Sequence, residues 1–277
     1  MALDLNAIGK ELRATTFAYD QRDVMLYALG VGATTAELSF VYEKQLQVLP
    51  TFGVVAAFPS MGGMAQVLEF NPMMVLHGEQ RIELRGPIPT SGTLTTQAKI
   101  SAIYDKGSGA VVVVDADTKD ADGKVLFSNM FSTFIRGEGG FGGERGPSAS
   151  SKNVPPERKP DHSIEYTTST DQAALYRLSG DRNPLHIDPE FAKLAGFDKP
   201  ILHGLCTFGF AGRAALHALC GGDPSRMKAF EVRFSGVVFP GETIVTDIWA
   251  DGSTAVLQAR TKERGEAVIS NAAVTVG

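Results

Sequence analysis

Two blocks of alternating apolar and polar residues organise the chain. Residues 95–104, 110–118 and 125–135 form the first block, and residues 243–250, 255–261 and 267–276 form the second. Both are rich in β-branched side chains, and glycine-bearing turns such as Asp122-Gly123 and Asp251-Gly252 separate their segments, which predicts antiparallel strands. The segment HGEQRIELRG, from His77 to Gly86, alternates in the same way and reads as a further strand. Residues 205–219 (LCTFGFAGRAALHAL) break the pattern. They are apolar nearly all round and stop at Gly221-Gly222, which predicts a buried helix in which Gly209 and Gly212 let other backbone approach. An antiparallel sheet wrapped around one buried helix, an α+β architecture, follows from this pattern.

Residues 137–160 (GEGGFGGERGPSASSKNVPPERKP) have almost no large apolar side chains and read as a linker. The expected division is an N-terminal unit at 1–140, a linker at 141–160 and a C-terminal unit at 161–277. The two units share landmarks in the same order, which suggests duplication. Tyr27-Ala-Leu-Gly30 matches Tyr176-Arg-Leu-Ser-Gly180, and Val75-Leu-His77-Gly78 matches Ile201-Leu-His203-Gly204. The Gly86–Gly92 turn matches Gly236–Gly241, and Gly123 to Asn129 matches Gly265 to Asn271. About thirty residues separate His203 from Gly236, room for the helix and a strand, whereas fewer than ten separate His77 from Gly86. The first unit should therefore have its central helix reduced or missing. The space left over could hold a large apolar substrate.

Composition narrows the function classes. The 277 residues are 43% hydrophobic and 21% charged, with a net charge of −5, so the chain is neither disordered nor suited to nucleic acid or an anionic membrane surface. No apolar run reaches the length of a membrane span. Two cysteines, Cys206 and Cys220, make neither a disulfide framework nor a metal cluster. No secretory signal opens the chain, and Val274-Thr-Val-Gly277 is not a peroxisomal tripeptide. No dinucleotide fingerprint, metal-ligand spacing or nucleophile elbow is present.

One polar cluster stands out: Ser179-Gly-Asp181-Arg-Asn183-Pro-Leu-His186-Ile-Asp188-Pro. A short helix should precede it and end at Gly180, and Asp188 with Pro189 should open another. The loop between them is thus pinned at both ends, with Pro184 stiffening it. An Asp and a His held so close can share one water and move its proton, and Asn183 can orient that water. Taken singly, Asp181 and Asp188 read as local caps and His186 as an ordinary histidine; the combination tips toward chemistry. His203-Gly204 is the second piece. There an extended segment turns into the buried helix, whose unpaired N–H groups and dipole suit an oxyanion. Cys206 reads as a small core residue, and His162 and His217 as ordinary.

At these residues the chain resembles the R-specific enoyl-CoA hydratase 2 family, whose MaoC-like fold is a pair of hot-dog units. The Gly-Asp-x-Asn-Pro-Leu-His run with the downstream His203-Gly204 carries the resemblance, and Leu76-His-Gly-Glu-Gln80 points to the double form. The resemblance implies reversible hydration of trans-2-enoyl-CoA to (3R)-3-hydroxyacyl-CoA, with no metal or redox cofactor. It implies Asp181 and His186 as the catalytic pair, Asn183 as a water holder and Gly204 as the oxyanion donor. It also implies acyl-CoA contacts at His77, Gly78, Lys106 and Phe234, and along Arg182, Pro184 and Leu185. The first unit has Val31-Gly32 where the second has the Asp-x-Asn-Pro-x-His run, so it should be silent and shape the acyl pocket. A homodimer and a stand-alone cytoplasmic enzyme are expected, or a peroxisomal location if the chain is part of a larger multifunctional protein. The rival readings are a 3-hydroxyacyl-thioester dehydratase of a synthetic or steroid pathway, an acyl-CoA thioesterase, and a non-catalytic acyl-binding module.

Overall fold

The alternating segments fold as antiparallel strands of a single sheet in the computed structural model, which describes residues 3–148 and 152–277. The first half supplies β1 (Thr15–Tyr19), β2 (Val75–Leu84), β3 (Gly92–Asp105), β4 (Gly109–Lys119) and β5 (Val125–Arg136). The second supplies β6 (His162–Thr167), β7 (Met227–Phe234), β8 (Thr243–Asp251), β9 (Thr254–Thr261) and β10 (Ala267–Val276). Their spatial order is β1-β3-β4-β5-β2-β7-β10-β9-β8-β6, which has the same topology read from either end. The halves meet where β2 pairs with β7, from Glu79 opposite Arg233 to Glu83 opposite Ala229. This is the double hot-dog arrangement. The edge strands β1 and β6 are short and were not picked out by the alternation; β6 begins at His162, which is therefore a strand residue.

The described residues also form six α-helices: α1 (Gln21–Gly30), α2 (Leu38–Val41), α3 (Gly53–Ala57), α4 (Gln172–Tyr176), α5 (Pro189–Leu194) and α6 (Gly204–Cys220). Helix α6 is the predicted buried helix, ended by Gly221 in the left-handed region (φ 63°). Its first-half counterpart is broken, with α3 passing into a 3-10 helix at Phe58–Gln66. That segment does cover the first sheet, since Ala57, Met64 and Leu68 are buried with Ile100, Val112 and Val114. It nonetheless leaves a cavity beside it.

Two expectations are corrected. His77-Gly78 lies inside β2, the counterpart of β7, whereas His203-Gly204 opens α6, so this pair of landmarks is not equivalent. The broken helix precedes His77 instead of being lost after it. The other three pairs of landmarks do occupy matching places. The glycine-rich stretch is also not slack along its described length. Its N-terminal part is tied down by Asp105, whose carboxylate accepts the N–H groups of Gly140, Gly107 and Gly142 at 2.7–2.8 Å. Those bonds hold the Asp105 carboxyl down to about 2. Beyond residues 149–151, which lie outside the described residues, Lys152 pairs with Glu231 at 2.7 Å.

Helix α6 is sealed from both halves. A Cβ on Gly209 would lie 2.3 Å from Val31, and one on Gly212 would lie 2.5 Å from Thr51, so glycine permits the contact. Arg213, 3% exposed, donates to Glu37 at 3.0 Å and to the Val31 carbonyl at 2.6 Å, and His217 pairs with the same Glu37 at 2.6 Å. Burial alone would raise the Glu37 carboxyl, but the His217 hydrogen bond and the Arg213 charge outweigh it and hold it below its ordinary value. Removing one partner of such a buried pair leaves an uncompensated charge. Arg213→Leu is therefore expected to cost about 3–5 kcal/mol in urea denaturation, and a loss under about 1 kcal/mol, the scale of an exposed pair, would contradict this role.

Candidate active site

The polar loop folds as its residue types dictate. Gly180 adopts φ 129°, a left-handed value that glycine takes without strain, and ends the 3-10 turn Arg177–Ser179 that follows α4. Asp181 Oδ1 accepts the Asn183 N–H at 3.1 Å, and Asn183 Oδ1 accepts the Leu185 N–H at 3.0 Å, capping the turn Pro184–His186. Asp188 caps α5 by accepting from Glu190 and Phe191. With Asn183 Oδ1 engaged, its amide Nδ2 is the end left to hold a ligand or water.

Three side chains converge behind this loop. His186, 8% exposed, uses Nδ1 to donate to the Ile201 carbonyl at 2.9 Å, which leaves Nε2 as the working nitrogen. Burial lowers its pKa, while the Ile201 carbonyl and the Asp181 charge pull it part of the way back. His203, 1% exposed, stacks on His186 with ring centroids 3.8 Å apart, and its Nε2 donates to the Asp181 carbonyl at 3.1 Å. Burial, then the charge of His186, brings His203 down to about 3 despite that hydrogen bond. The Asp181, His186 and His203 ligand atoms all lie within 4.8 Å of one another. Face-to-face rings send their in-plane lone pairs side by side, whereas a tetrahedral metal needs donors converging at about 2.0–2.1 Å. The trio is better shaped for proton transfer than for metal ligation.

Gly204 opens α6, and its N–H precedes the first intrahelical donors, since Cys206 and Thr207 both donate to the His203 carbonyl. A Cβ at Gly204 would lie 3.5 Å from the Phe234 ring, so Phe234 roofs this position. His77 packs edge-on against Phe234 at 4.9 Å, and burial lowers its pKa to about 4.

Asp181, Asn183, Leu185, His186, Gly204, Phe234 and His77 all line one cavity of about 480 Å³. Its apolar wall comes from both halves, with Phe58, Met64 and Phe131 from the first and Phe197, Ile201 and Val238 from the second. A groove of about 540 Å³ beside Arg13 and Gln66 is slightly larger but has no carboxylate or imidazole in its wall. Of the other expected residues, Gly78, Arg182, Pro184 and Lys106 do not line the cavity. The Lys106 ammonium rests on the Arg145 carbonyl. Its turn nevertheless lies at the cavity end of the sheet, because Gly109 pairs with Arg136 and Val75 with Ile135. The sequence reading missed the stacked position of His203, the Ile201 carbonyl that orients His186, and Phe197 and Leu202 in the wall. Only His203 carried a signal, its place at the start of α6; the rest needs tertiary structure.

Residues 17–137 match the MFE-2 hydratase 2 N-terminal domain, and residues 151–272 match the MaoC like domain. The probable enoyl-CoA hydratase 2 of Dictyostelium discoideum is 44% identical over 98% of this chain and 96% of its own length. The peroxisomal multifunctional enzyme type 2 of Mus musculus is 48% identical over 98% of this chain, which spans 38% of that longer protein. A crystal structure of a MaoC-like dehydratase from Phytophthora capsici superimposes with a TM-score of 0.90 at 37% identity, covering 99% of this chain and 98% of its own.

These environments predict the order in which the histidines take up protons. In an NMR titration, His77 should stay neutral until about pH 4 and His203 until about pH 3. His186 should titrate below the ordinary histidine value, and Asp181→Asn should lower it further by removing the facing negative charge. An unchanged or raised His186 titration in that variant would contradict the pairing.

Proposed function

Because the chain belongs to the enoyl-CoA hydratase 2 family of MaoC-like proteins, we propose that it adds water reversibly to trans-2-enoyl-CoA, giving (3R)-3-hydroxyacyl-CoA in fatty-acid metabolism. One observation carries the reading to this chain's own residues. A carboxylate, a neutral imidazole and the unpaired N–H at the start of a helix line one cavity whose far wall is apolar. The thioester carbonyl accepts a hydrogen bond from the Gly204 N–H, and the helix dipole favours the negative charge that develops on its oxygen. Such a donor is typically worth about 3–4 kcal/mol. Water sits between Asp181 and His186, steadied by the Asn183 amide. One of the pair takes a proton from the water as its oxygen bonds to C3, and the other gives a proton to C2, so the elements of water add to one face of the double bond. No step needs an oxidant, a reductant or a metal.

The first half has no counterpart of the Asp-Asn-His set, and we assign it the acyl tail, against Met64 and Phe131. His77 and Phe234 then flank the thioester, and the CoA head is assigned to Lys106 at the mouth side of the sheet. We also propose a homodimer and a cytoplasmic location. Light scattering of the purified protein tests the first, and fractionation of cells against a peroxisomal marker tests the second.

Purified protein should consume crotonyl-CoA and decenoyl-CoA with loss of the conjugated-enoyl absorbance and formation of the R alcohol, unaffected by a chelator. An S product would contradict the reading. Free thiol would favour thioester hydrolysis, and a large preference for acyl-carrier protein would favour a synthetic dehydratase. Asp181→Asn and His186→Ala should each lower turnover by roughly 10²–10⁴ while leaving the fold intact by circular dichroism. Near-wild-type turnover in either would remove its residue from the mechanism.

The assignment of the tail has its own test. Ala65→Trp, which places an indole on the cavity wall, should abolish turnover of decenoyl-CoA and leave crotonyl-CoA within a few-fold. Equal losses on both substrates would contradict a tail lying there.

A further inference from the structure

We propose that His203 is a positioning residue for the proton-transferring pair, a single side chain that fixes Asp181 and His186 relative to each other. The inference rests on the hydratase reading of the site. His203 reaches both partners at once, stacking on the His186 ring at 3.8 Å and donating from Nε2 to the Asp181 carbonyl at 3.1 Å. It also packs against Tyr176 of α4 at 4.9 Å. The main chain it holds needs an anchor. Gly180, just before Asp181, has an open left-handed conformation, and Arg182 to Pro184 are exposed. Within the loop, Asp181 is otherwise tied by the short bond from the Asn183 N–H to its own carboxylate.

A purely structural filler would not need these nitrogens. His203 Nδ1 is buried with no hydrogen-bond partner among the described residues, and an unpaired buried nitrogen is destabilising. Phenylalanine would fill the same slot and stack without that cost, but it would lose the bond to Asp181. The titratable groups around His203 are His186, Asp181, Arg177, Tyr176 and, on α6, Cys206. Burial, then the charge of His186 and last that of Arg177, keep His203 itself neutral.

The test compares wild type, His203→Phe and His203→Gln as full-length purified proteins. It uses melting temperature, kcat and KM for crotonyl-CoA across pH, and NMR titration of His186. His203→Phe keeps a stacked ring but loses the donor, and its kcat should fall roughly 10–100-fold with KM within a few-fold, the scale of a small misplacement of reacting groups. His203→Gln can still donate to the Asp181 carbonyl and should recover part of that loss. Without the covering ring, its His186 should titrate closer to the ordinary histidine value. The limb of the kcat/KM profile that reports His186 should then move to higher pH.

Wild-type kcat in both variants would overturn the proposal. So would equal losses that follow the melting temperature while the His186 titration stays at its wild-type position. The titration is read without substrate, so it stands apart from the parent reading, which fails instead if the wild type does not hydrate crotonyl-CoA.

Discussion

Helix α6 has almost no polar face, so it must be enclosed on every side, and one curved five-stranded sheet covers a helix on only one of them. The remaining side is closed by the other half of the chain. Val31 and Thr51 press on Gly209 and Gly212, and the Cys206 thiol reaches the Gly30 carbonyl at 3.3 Å. The single buried cation of the helix, Arg213, is neutralised by Glu37 from the same side. The two halves are therefore not independent bodies on a tether. Each is the solvent shield of the other, and the β2–β7 pairing makes their sheets continuous.

The site follows from that enclosure. A helix surrounded by apolar groups presents its unpaired first-turn N–H groups in a dry place, where a hydrogen bond to a developing negative charge is strongest. The segment leading into the helix carries His203, and the loop that packs against this segment carries Asp181 and His186. Burial lowers the pKa of all three histidines of the site region. In the first half the corresponding helix is interrupted at Phe58, and the 3-10 segment that replaces its end borders the cavity through Phe58, Met61 and Met64.

Much of this was legible in the sequence because it is written in local patterns. Among the described residues, alternation located seven of the ten strands, the spacing after His203 left room for β7, and the apolar run from Leu205 located α6. The Asp181 to His186 run announced itself by its residue types and by Gly180 and Pro184. Local patterns are also where the reading failed. His77-Gly78 and His203-Gly204 share a dipeptide by coincidence, since a strand interior and a helix start place different demands on it. Short edge strands such as β1 bury too few side chains to show a clear period. Residues 139–147 look slack because their anchors, the Gly140 and Gly142 N–H groups on the Asp105 carboxylate, are backbone groups that no side-chain pattern records. The stacking of His203 on His186 depends on two segments separated along the chain and is visible only in three dimensions.

The central claim is that one site is built by both halves, with chemistry from the second and the acyl compartment from the first. A crystal structure of Asp181→Asn with trans-2-decenoyl-CoA tests it most directly. The account predicts the thioester oxygen within hydrogen-bond distance of the Gly204 nitrogen, C3 between positions 181 and 186, and the acyl chain lying against Met64 and Phe131. A thioester bound away from Gly204, or an acyl chain that leaves the first-half wall untouched, would contradict it.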